Sequence, residues 1–156
     1  MIEPTVPEVL AATITTIERD IAPKVSADDD GYTASLCRTV AQLLRMVRSR
    51  VEHEEPALAA DNSELRALLE TWAPTLPDEP RRVVEAALRA AGELDAPTTV
   101  GRLGAEARCL RSALDTLIAA LPDRDDPARA AGREYLRHQL ERQRPWLVEA
   151  FTGPRR

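Results

Sequence analysis

Between Tyr32 and Glu55, Leu36, Val40, Leu43, Leu44, Val47 and Val51 recur at steps of four, three, one, three and four. A half-buried strand alternates at every second position, so this spacing requires a helix with one apolar side. Cys37 and Ala41 widen the stripe, which predicts packing on more than one neighbour. The stripe Leu36–Val51 therefore reads as core, and the other segments as helices that cover it. Glu52, Glu54 and Glu55 crowd the far end, where the helix dipole disfavours acids. Pro56 has no N–H to donate and predicts a stop or a new start.

The flanking segments carry the same period. Thr5 and Glu8 have capping-box spacing, and Leu10, Ile14, Ile17 and Ile21 form the stripe of a first helix that Pro23 is expected to end. The polar stretch from Lys24 to Gly31 predicts a loop. With Gly31 in sixth place, a calcium loop would need an acid where Cys37 stands, so that reading fails. Asp61 and Glu64 have capping-box spacing ahead of Leu65, Leu68, Leu69 and Trp72. The prolines of 74–80 make a stiff connection between two helical halves. A fourth helix is expected from Pro80 to Ala91, with Asp78 as cap and Val83, Val84, Ala87, Leu88 and Ala91 inward. A fifth runs from Thr98 or Thr99 to Leu121, with Leu103, Ala107, Leu110, Leu114, Leu117 and Ile118 inward. A sixth starts from Asp126 and Pro127 and buries Leu136 and Leu140, with Tyr135 nearby. Pro145 predicts a kink or break, after which Trp146, Leu147 and Phe151 form an apolar tail suited to docking. Residues 152–156 read as a disordered tail.

These elements predict one all-α domain over residues 1–156, an up-and-down bundle of five to six helices cored by the second and fifth. Aromatic residues are only 3% of the chain, so the core must be aliphatic, which suits helix-on-helix packing. The net charge of −5 argues against a nucleic-acid binder. The locally basic sixth helix (Arg129, Arg133, Arg137, Arg142, Arg144) is diluted by Glu134 and Glu141. Lys24 is the one lysine among 21 basic residues. That bias, with much alanine, is expected of a GC-rich bacterial genome, so arginine identity alone carries little. Two cysteines on apolar helical faces predict reduced thiols. The first residues lack a signal-peptide pattern and no apolar run spans a bilayer, which predicts a cytoplasmic protein without membrane association.

No catalytic signature is legible. Dimetal bundles use paired Glu-x-x-His motifs, but Arg50 and Tyr135 stand three positions before His53 and His138, so a metal site is not expected. Glu134 and His138, four apart, read as a surface pair. Cys37 and Cys109 have no histidine close in sequence to activate them. There is no phosphate-binding loop and no nucleophile elbow. No cofactor is implied and enzymatic activity is not expected.

The segments IERDIAPKV, CRTVAQLLRMVRSRVEHEEPAL and DNSELRALL, over about residues 5 to 72, resemble a family of small uncharacterised bacterial helical proteins. Ile21, Pro23, Leu43, Leu44, Arg50, Glu52 and Leu65 carry the likeness. Genes of that family lie beside those for acyl-CoA dehydrogenases and aminoglycoside-phosphotransferase-like proteins. The family has no established reaction, so the resemblance implies none.

The leading expectation is a non-catalytic accessory or interaction protein, partnered by a larger enzyme or a second copy. The alternative is a binder of an anionic small molecule such as an acyl-CoA or nucleotide, with Arg38, Arg45 and Arg48 as its candidate residues. A third is an enzyme without a recognisable motif.

Overall fold

The computed structural model describes residues 3–28, 31–92 and 99–148, with side chains for 3–25, 31–92 and 99–145. The described residues form six α-helices and no strand: α1 (Val6–Thr16), α2 (Ala22–Asp28), α3 (Tyr32–Trp72), α4 (Asp78–Gly92), α5 (Val100–Ala120) and α6 (Pro127–Val148). The fold is all-α, as the helical periodicity requires. The chain divides into two compact units, Met1–Glu54 with Gln143–Arg156, and Glu55–Arg142. The division falls beside Pro56, and the proline-rich 74–80 lies inside the second unit.

In the first unit, α1 starts from the expected capping box. The Glu8 carboxylate accepts from the Thr5 N–H at 2.7 Å and from its hydroxyl at 2.8 Å. The helix does not stop at Pro23. A π turn, Ile17–Ile21, leads directly into α2, and the Ala22 N–H reaches back five residues to the Ile17 carbonyl. The widened turn sits just before Pro23, the residue with no N–H to give. Helix thus replaces most of the expected loop after Lys24. Gly31, at φ 88°, holds the left-handed conformation ahead of α3, and its carbonyl receives the Ser35 N–H at 3.0 Å.

α3 runs 41 residues and passes through Pro56 without ending. Its exposed surface contradicts the expected core. Leu36, Val40, Leu43, Val47 and Val51 are 44–53% exposed, whereas Ala34, Ala41 and Ser49 are buried. The helix is as predicted, but its small-residue side is the covered one. Ile14 is the buried residue of α1.

The second unit holds the main core. The part of α3 after Glu55 continues through a short 3₁₀ turn, Ala73–Thr75, into α4. Asn62 and Arg66 of α3 meet Leu103 and Glu106 of α5, so these helices run parallel. Arg66 also meets the Leu88 carbonyl of α4, and Arg142 of α6 meets Asp61, so α4 and α6 run the other way. Residues 55–142 are therefore an up-and-down four-helix bundle. Leu65, Leu69, Val84, Leu110, Leu117 and Tyr135 are buried in one cluster. The α5 stripe is inward as expected.

α6 begins from Asp126, whose carboxylate accepts the Ala128 N–H at 2.8 Å. Its buried side differs from expectation: Leu136 and Leu140 are 43% and 62% exposed, while Ala128, Gly132 and Tyr135 are buried. The Gly132 site explains this. A Cβ there would stand 3.6 Å from both Leu114 and Ile118, so the small residues set the close approach of α6 to α5. Pro145 lies within α6 and does not break it. The side chains of Trp146 and Leu147, and all of Phe151, lie outside the described residues.

Candidate functional site

Three features compete as a functional site: the arginines of α3, a polar cluster in the second unit, and the outward apolar face of α3.

The arginines do not converge. Arg45 donates to Glu18 of the π turn at 2.5 Å. Arg48 lies 3.8 Å from Glu52, one turn along its own helix. Arg38 is exposed on the surface. An open groove of about 380 Å³ does occur in the first unit, but Val9, Ala12, Thr13, Ile17 and Ile21 line most of it.

The polar cluster joins three helices. Asp61 of α3 is 1% exposed, and Arg142 of α6 donates to it at 2.5 Å. A second nitrogen of Arg142 donates to Glu64. Arg111 of α5 lies 3.9 Å from Asp61 and hydrogen-bonds Tyr135. His138 places Nδ1 2.6 Å from Glu64 and Nε2 3.1 Å from Glu134. The Asp61–Glu64 spacing caps no helix; both residues sit inside α3 and face α6. Two carboxylates thus meet two guanidiniums, and the charges balance. Such a cluster fixes helix register, because either charge alone would be buried unpaired. Local spacing carries no sign of it, since the partners are about 80 residues apart.

Burial alone would raise the Glu64 carboxyl. The hydrogen bonds and charges of Arg142 and His138 outweigh that and hold it below its ordinary 4.5. The folded value is therefore lower than the unfolded one. The stability this contributes is complete above the unfolded value and is lost as pH falls through the folded one. The urea midpoint should hold on the neutral side of pH 4.5 and decline below it. Glu64→Gln should make that decline shallower, as read by circular dichroism across pH. An unchanged acid profile in the variant would remove Glu64 from the account. Burial acts oppositely on Tyr135, raising its hydroxyl above 10.0 despite the nearby Arg111.

Cys37 and Cys109 are both free and half-buried, and the Cys109 thiol points to the Ala87 carbonyl at 3.5 Å. His53 is exposed beside Glu52. Among the described residues no group of three or more His, Cys, Asp or Glu is placed to hold a metal ion. No described helix is long and apolar enough to cross a membrane.

The outward face of α3 is left. Leu36, Val40, Leu43 and Val47 follow steps of four, three and four, the a/d spacing by which helices pair. Val51 extends the line. Scattered exposed apolar residues are ordinary, but a continuous strip marks an interaction surface. The sequence held this signal, and the heptad spacing was the part that distinguished a pairing seam from a general core stripe.

No family model matches the chain, and no curated protein or solved structure matches it.

Proposed function

We propose that the protein is a non-catalytic accessory protein that works by helix pairing. The bundle of residues 55–142 is the stable scaffold. The outward face of α3 is the working surface and takes up an apolar helix from a partner. One observation supports this above the rest: five branched aliphatic side chains in register on one helix are each about half exposed. Exposing them costs solubility, and a chain that could turn them inward would gain about 25 cal/mol for each Å² removed from water. A surface of that kind is explained by a partner that covers it.

Affinity capture with the intact chain and with Leu43→Glu/Val47→Glu as baits tests the reading. Glutamate keeps the helix and places charges in the seam. The chains that co-purify with the wild type, a second copy included, should be lost with the variant. Equal recovery by both baits would overturn the reading.

A further inference from the structure

Resting on that reading, we infer that the partner on α3 is a second copy of this chain, paired antiparallel with Leu36 opposite Val47.

The first argument is register. In an antiparallel pair centred between Val40 and Leu43, Leu36 of one copy meets Val47 of the other, and Val40 meets Leu43. The next step places Val51 opposite Tyr32, which is 66% exposed. Every apolar side chain on the face then meets another, and the same pairs form twice by symmetry, as a two-fold dimer requires. The seam from Leu36 to Val51 is 15 steps, about 22 Å at the helical rise.

The second argument is charge. Arg50 and Glu54 continue the line of the seam and pair with each other along the helix at 3.2 Å. A parallel dimer in register would set Arg50 against Arg50 and Glu54 against Glu54, which repels. The antiparallel register sets Arg50 opposite Thr33 instead. Beside the seam stand Cys37, Thr39, Leu44 and Met46, none of them charged, so like charges do not oppose self-pairing.

The third argument is area. The five side chains leave roughly 400 Å² of apolar surface in one strip, the size of the largest patch on a typical monomer. A standard interface takes about 800 Å² per partner, a little over half of it non-polar. The strip with its polar margins matches one side of such an interface.

Sedimentation equilibrium of the unmodified chain and disulfide trapping test this together. The mass should rise with concentration from 17.2 kDa to twice that value. In a chain whose Cys37 and Cys109 are replaced by alanine, Leu36→Cys/Val47→Cys should oxidise to a covalent dimer. Leu36→Cys alone should not, because its own copy lies about 16 Å away along the seam, beyond disulfide reach. A covalent dimer from Leu36→Cys alone would replace the antiparallel arrangement with a parallel one. A wild type that stays at 17.2 kDa, with capture still abolished by Leu43→Glu/Val47→Glu, overturns the second copy as partner and leaves the pairing reading standing. A constant monomer whose captured chains ignore that variant overturns both.

Discussion

Arg142→Met should destabilise the protein by about 3 kcal/mol, the low end of the range for breaking a buried ion pair. The loss comes from what is left behind. Asp61 has a side chain only 2% exposed, and Arg142 is its close partner at 2.5 Å. Without Arg142 the carboxylate keeps only Arg111, at 3.9 Å, and water cannot replace the lost guanidinium. Asp61→Asn together with Arg142→Met should recover a large part of the loss, since both charges then leave the interior. Arg137→Met, which removes a guanidinium that faces Glu134 and Glu141 on the surface, should leave the unfolding midpoint where it is. Urea unfolding of the three variants at neutral pH checks this. An Arg142→Met midpoint equal to wild type would show that the cluster does not hold α3 to α6.

The second large effect separates core from surface. Leu69→Ala should cost about 2–5 kcal/mol, because Leu69 is fully buried and the bundle cannot close over the cavity. Leu43→Ala, at a position 53% exposed, should change the stability of dilute protein by no more than about 0.5 kcal/mol. The two leucines lie on the same helix, α3, with the same apolar spacing around them. Comparable losses for both would place Leu43 in a core and contradict its outward position.

That pair also shows what the amino-acid order can and cannot reveal. Helical period is local, so the segments that became α1, α4, α5 and α6 were legible, as were the caps at Thr5, Thr99 and Asp126. The inward face of α5 was legible too, because Leu103 through Leu121 supplies a single large-residue stripe with helices on its side. α3 and α6 misled for a shared reason. Each has a face of large aliphatics and a face of small residues, and the small face is the one covered: Ala34 and Ala41 in α3, Ala128 and Gly132 in α6. Side-chain size signals hydrophobic area but not how closely two backbones approach. Proline misled in a different way. Pro23, Pro56 and Pro145 each lost one hydrogen bond without ending their helices, since neighbouring turns and packing carry the segment through. The Asp61–Arg142 contact was beyond reach, because nothing near either residue specifies a partner about 80 positions away.

The central claim is that the apolar face of α3 is held outward for pairing and adds nothing to the stability of the single chain. The most direct measurement takes Leu43→Glu/Val47→Glu and records both its unfolding by urea in dilute solution and its mass in concentrated solution. The account predicts an unfolding free energy within about 0.5 kcal/mol of dilute wild type, and a mass that stays at 17.2 kDa where the wild type has doubled. A loss of several kcal/mol in dilute solution would show that those side chains are core, and would contradict it.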